Sequence, residues 1–145
     1  MTIIDKIIDG KMYAEKLLEE IHPLSKKFLD NFNRKPCLTV ILVGDNPASK
    51  IYVKNKILVA KKIDIESKEI LLGSDITEDE LMQHISVLNK DQNVDGILVQ
   101  LPLPKHISEK KIFKLISPSK DVDGFHPKNF GKLFMGDPNL FHAHP

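Results

Sequence analysis

A second cysteine, a long apolar run and an excess of charge of either sign are all missing from this chain of 145 residues. Each absence closes off a class of protein. With Cys37 as the only cysteine there is no intrachain disulfide and no thiolate metal cluster. Set beside an apolar run, Cys37 reads as a small core residue of a protein in a reducing compartment. No stretch reaches the roughly 18 apolar residues of a membrane span. The opening MTIIDKIIDGK also lacks the unbroken apolar core of a signal peptide. No membrane partner and a cytoplasmic place are therefore expected. The 21 basic and 20 acidic residues leave a net charge of +1, so there is no electrostatic footprint for nucleic acid. Internal repeats and low-complexity tracts are absent, and the length suits one core and not two full domains.

What is there alternates between two periods. Tyr13, Leu17, Leu18, Ile21, Leu24, Phe28, Leu29 and Phe32 recur at helical spacing after the Asp9-Gly10 turn, with a kink or break expected near Ile21 and His22 because Pro23 removes a donor. Leu38 to Val43 is a β-branched apolar run, read as a strand buried on both faces. Ile65 to Leu72 and Ile97 to Val99 read as further strands. Between and after them, Thr77-Glu-Asp-Glu80 starts a helix carrying Leu81, Ile85 and Leu88, and Ser108 opens another with Ile112, Leu115 and Ile116 inward. Strand–helix alternation predicts an α/β fold, a three-layer α/β/α arrangement around a mainly parallel sheet, with functional groups beyond the carboxyl ends of its strands.

Three segments meet that description. In VGDNPASKIYVKNK (43–56), Gly44 permits a tight turn, Asn46 caps a helix and Pro47 suits its first position. On that helix Ser49, Tyr52 and Lys56 share a stripe, while Ala48, Ile51 and Leu58 are expected on a neighbouring stripe facing the core. In DGILVQLPLP (95–104), a buried strand ends at Gln100 and runs into two prolines that make a stiff ledge, with the Gln100 amide directed at the same cleft as Lys56. In PSKDVDGFHP (118–127), a loop by composition, Asp121 and Asp123 are open to two readings: Asx turns around Gly124, or a weak magnesium signal.

Together VGDNPASKIYVKNK, DGILVQLPLP and KDVDGFHPKNFGKL, in this order and spacing, resemble the bifunctional methylenetetrahydrofolate dehydrogenase/methenyltetrahydrofolate cyclohydrolase family, over about Ile8 to Leu133. The resemblance implies a folate-binding catalytic domain over residues 1–133, tetrahydrofolate derivatives as ligands and no metal. Carried over residue by residue, Lys56 matches the catalytic lysine and Gln100 the glutamine that holds and tunes it. Tyr52 matches the catalytic tyrosine that stacks on the aminobenzoyl ring. Ser49, Leu101 and Pro102 line the substrate, and Asp123 hydrogen-bonds the pterin. The residue types suit hydrolysis of a cationic methenyl-folate to the 10-formyl form, since Gln100 orients an amine without adding a counter-charge and a carboxylate accepts two bonds from an aminopyrimidine edge.

The pattern also departs from that family. The resemblance implies NADP for the dehydrogenase reaction, held by a Rossmann domain, yet no G-x-G-x-x-G turn follows residue 133. The expectation is therefore a chain truncated before the NADP domain, unable to transfer hydride and missing most of the family's homodimer contact. Its alternative is an inactive remnant that binds folate weakly or not at all. Residues 134–145 read as an interdomain tail. Where the family has Pro-Cys-Thr-Pro, the tail has His142-Ala-His-Pro145, and shifting CCA-TGC-ACA-CCN by one base spells that sequence, so a frameshift is expected there. His142 and His144, with His126, make a weak metal signal.

Overall fold

The apolar run of the sequence becomes β1 (Cys37–Val43), in which every side chain but the half-buried Leu38 is buried. Thr39, Val40, Ile41 and Val43 are β-branched and fit a strand covered on both faces. The computed structural model describes residues 9–137. Within them β1 pairs in parallel with β2 (Glu66–Leu72) on one edge and β3 (Gly96–Gln100) on the other, giving the order β2-β1-β3. Val40 stands opposite Glu69 in one neighbour and Leu98 in the other. A parallel bridge between Ile97 and Asp121 lays the loop 118–126 along the free edge of β3.

Alternation along the strands divides the core in two. Ile41, Val43, Ile97 and Val99 face α3 (Glu78–Lys90) and α4 (Glu109–Leu115), packing on Leu81, Ile85 and Ile112. Val40, Leu42 and Leu98 face α2 (Pro47–Lys62) and pack on Val53 and Ile57. The three-layer α/β/α arrangement and the parallel sheet are as the sequence predicts. So is the start of α3, where Thr77 and Glu80 form a reciprocal capping box.

Several local expectations fail. α1 (Gly10–Phe32) runs unbroken through Pro23. Next to the proline the Ser25 hydroxyl donates to the His22 carbonyl, and His22 Nε2 donates to Asp64 Oδ2 at 2.9 Å. His22 is thus a mid-helix anchor. Along α1 only Ser25 is buried, and Tyr13, Leu17 and Leu24 are each more than half exposed (56, 54 and 63 %). The inward stripe of α2 is also not the one expected. Ala48, Ile51 and Leu58 are exposed, and Ser49, Val53 and Ala60 are buried. The packing stripe and the chemical stripe therefore meet at Ser49 and then diverge: Val53 and Ile57 pack on the sheet face of Val40, Leu42 and Leu98, while Tyr52 stays exposed. One element is unanticipated: α5 (Pro127–Phe134), capped by His126 with Pro127 at its first position.

Candidate active site

Three strand or loop ends converge where β1 and β3 stop. Gly44, with φ of 84°, turns the chain sharply out of β1. Asn46 Oδ1 then accepts from the Ser49 amide at 3.1 Å and starts α2. Ser49 is only 3 % exposed, yet its hydroxyl is satisfied by donating to the Leu101 carbonyl at 3.2 Å. Two turns further along, Lys56 Nζ donates to Gln100 Oε1 at 3.1 Å. Gln100 Nε2 donates to the same Leu101 carbonyl at 2.9 Å. That second bond fixes the sense of the amide, because only its oxygen is then left to face the lysine. Beyond Leu101 the Leu101–Pro102 peptide is cis, Pro102 is exposed and Leu103 is buried, so the ledge expected after Gln100 is present. Tyr52 lies one turn before Lys56, 61 % exposed, and no aromatic ring among the described residues stacks on it.

The third segment uses its two aspartates differently. Asp121 is 3 % exposed and accepts from the amides of Gly124 at 3.1 Å and His126 at 2.9 Å, and from Asn129 Nδ2 at 2.9 Å. It is the Asx-turn residue of the two. Val122 packs against the core on the α2 side of the sheet, beside Leu38 and Val40. Asp123 is half-buried and accepts no hydrogen bond among the described residues. Burial pushes the Asp123 carboxyl above the usual carboxylate range; the nearby Lys56 ammonium pulls it back and Asp121 adds to the rise. A carboxylate with free lone pairs thus stands within electrostatic reach of the lysine.

Lys56, Gln100, Ser49 and Leu101 are therefore joined by hydrogen bonds, Asp123 by charge, and Tyr52 and Pro102 flank them. His126 is not part of this group: its Nδ1 accepts from the Lys128 amide as a helix cap. His142 and His144 lie outside the described residues, among which no three His, Cys, Asp or Glu are arranged to hold a metal ion. Nor does the strand-to-helix turn after β1 fit the pyrophosphate of NADP. The strand-to-helix turn after β1 has its amide donor taken by Asn46, and Asp45, paired with Lys50, adds negative charge where a pyrophosphate would need donors. Sequence reasoning missed Asn129 and Lys120. Lys120 Nζ caps α3 through the carbonyls of Leu88 and Asp91 at 2.9 and 2.6 Å. The His126-Pro127 pair, a cap followed by a first-turn proline, was the available signal for the helix that carries Asn129.

Residues 8–123 match the family described as tetrahydrofolate dehydrogenase/cyclohydrolase, catalytic domain. The chain is 54% identical over 131 residues to the bifunctional protein FolD of Halothermothrix orenii, covering 90% of this chain and 46% of that relative. To the FolD of Methylorubrum extorquens it is 47% identical over 143 residues, covering 99% and 47%. Among solved structures, FolD methylenetetrahydrofolate dehydrogenase/cyclohydrolase from Campylobacter jejuni superposes with a TM-score of 0.86 at 47% identity, over 92% of this chain and 47% of that one. A 5,10-methylenetetrahydrofolate dehydrogenase from the silkworm Bombyx mori gives 0.89 at 43% identity, over 94% and 47%. The chain spans about half the length of the curated relatives it matches.

Proposed function

Because the chain belongs to the tetrahydrofolate dehydrogenase/cyclohydrolase family, we propose that residues 1–133 form a folate-binding domain that hydrolyses 5,10-methenyltetrahydrofolate to 10-formyltetrahydrofolate. The observation that carries this reading is the Lys56–Gln100 hydrogen bond of 3.1 Å at the carboxyl end of the sheet, with Asp123 within electrostatic reach of the lysine. Water adds to the methenyl carbon, the bond from that carbon to N5 breaks, and one proton is released in net. Lys56 is the amine at the ledge and carries the proton transfers at the reacting carbon. Gln100, itself anchored to the Leu101 carbonyl, holds the amine on target. Asp123 accepts the donors of the aminopyrimidine edge, and exposed Tyr52 offers its face to the aminobenzoyl ring, a contact worth about 0.5–1.5 kcal/mol beyond burial. Ser49 keeps the Leu101–Pro102 ledge in register with α2.

The NADP-dependent oxidation that the family resemblance implies is not assigned to the described residues. No helix among them is long and apolar enough to cross a membrane, and we place the domain in the cytoplasm with a tetrahydrofolate derivative as its partner. The test is hydrolysis of methenyltetrahydrofolate by the purified chain, followed by loss of its absorbance. Turnover above the spontaneous rate, abolished in Lys56→Met, is expected. Binding of folic acid with no such turnover would leave a folate-binding domain and overturn the catalytic assignment.

A further inference from the structure

The loop that presents Asp123 has its other polar groups engaged in holding it. Ile97 N donates to the Lys120 carbonyl at 2.7 Å, and the Lys120 ammonium closes off the end of α3. Asp121, buried and negatively charged, takes two loop amides and the Asn129 amide. Asn129 is itself 4 % exposed, and its Nδ2 is shared between Asp121 at 2.9 Å and the Pro118 carbonyl at 2.7 Å. One side-chain nitrogen thus ties the start of the loop to its middle from a position on α5. Burial of a carboxylate and an amide is costly unless both are bonded, so this pairing is strongly specified. Asp123 lies between the clasped ends with its own oxygens unused.

We propose that the Asp121–Asn129 clasp is a positioning device for Asp123, holding its carboxylate preformed for the pterin edge of the ligand. This rests on the reading of Asp123 as the pterin acceptor. The clasp touches no ligand itself: it fixes Gly124 and His126, and with them the direction in which the intervening carboxylate leaves the chain. A preformed acceptor loses less entropy on binding than one that must be ordered by its ligand.

A double-mutant cycle tests this in the full chain, with folic acid as the probe of the pterin edge and p-aminobenzoylglutamate as a probe lacking it. Asn129→Ala is expected to weaken folic acid about tenfold and to leave p-aminobenzoylglutamate unchanged. In an Asp123→Ala background the same change is expected to have almost no further effect, because the group it acts through is gone. Equal losses in both backgrounds would mark Asn129 as merely structural and overturn the proposal. So would an unchanged folic acid affinity in Asn129→Ala alongside a weakened one in Asp123→Ala. If Asp123→Ala itself binds folic acid normally, the pterin reading fails and the clasp inference falls with it. Hydrogen exchange on the unmutated chain keeps the idea testable should Asn129→Ala not fold. The Gly124 and His126 amides are expected to be protected without ligand, and protection appearing only when folic acid is added would refute a preformed clasp.

Discussion

The carboxylates of Asp95 and Asp64 at the amino end of the sheet and of Asp123 at its carboxyl end are treated in opposite ways. At the amino end, Asp95 accepts both terminal nitrogens of Arg34, at 2.7 and 2.9 Å, and the Cys37 amide at 2.8 Å. Beside it Asp64 takes His22 at 2.9 Å and Lys35 at 2.8 Å. Both of these carboxylates are matched by a cation. At the carboxyl end Lys56 meets a neutral amide, and Asp123 accepts no hydrogen bond among the described residues. Paired charges fasten α1 and the strand starts to the body. Lys56 and Asp123 at the other end are kept without a hydrogen-bonded partner of opposite charge among the described residues, at some cost in stability.

The difference predicts opposite outcomes for one substitution at each end. Lys56→Met is expected to lower cyclohydrolase turnover by about 10²–10⁴-fold, the range for loss of a positioned acid–base group. Its thermal midpoint is expected to stay near that of the parent, because only the glutamine bond is lost. A large fall in stability would erase the distinction between the ends. Asp95→Ala is expected to do the reverse, destabilising by about 1–3 kcal/mol because the Cys37 amide and the Arg34 guanidinium lose their acceptor. Urea titration measures this, and turnover per folded molecule is expected to be unchanged.

Much of this contrast was legible in the sequence, though not evenly. Lys56 and Gln100 could be placed because strand ends and helix caps are written locally, in Gly44, Asn46, Pro47 and the prolines after Gln100. Turn chemistry alone leaves the roles of the two aspartates of DVDG unseparated, and only the family resemblance singles out Asp123. Which one turns inward depends on Asn129, eight residues away from Asp121 on a helix whose existence the loop-like composition concealed. The α2 stripe was misread for a related reason. Period alone gives several candidate faces, and only packing against Val40, Leu42 and Leu98 on the sheet face selects the one that carries Val53. The Arg34–Asp95 pair, 61 residues apart, carried no local signal at all.

A third substitution joins the two ends and sharpens the comparison. Gly96 opens β3 at the amino end, yet a Cβ built on it would lie 2.6 Å from Val122 Cγ1 and 3.2 Å from Leu38 Cδ1. Val122 is branched and packed against the core, so it cannot swing aside cheaply. Gly96→Ala is expected to cost about 1–2 kcal/mol as overpacking and to weaken folic acid binding several-fold by displacing the residue next to Asp123. Calorimetric unfolding and ligand titration on one sample separate the two effects. Loss of stability with affinity intact would show that the loop adjusts independently of β3.

The smallest effect expected is in the pH dependence of stability, where the two ends should show opposite signs. Hydrogen bonds from Lys35 and then His22 hold the Asp64 carboxyl down, from an ordinary 3.8 to about 2. A depressed carboxyl stabilises the fold above its ordinary value, and that contribution is lost as pH falls from about 4 towards 2. Asp123 is shifted the other way by burial, so the folded chain favours its protonated form and stability declines as pH rises through its raised value. Urea midpoints measured between pH 2 and 7 on three proteins decide the matter. Asp64→Asn is expected to be less stable than the parent at pH 7 and flatter on the acid side. Asp123→Asn is expected to be slightly more stable than the parent at pH 7 and to converge with it in acid. Two variants with the same sign of change at neutral pH would mean that the carboxyl end holds no unpaired charge in reserve, and that Asp123 is as settled within the fold as Asp64.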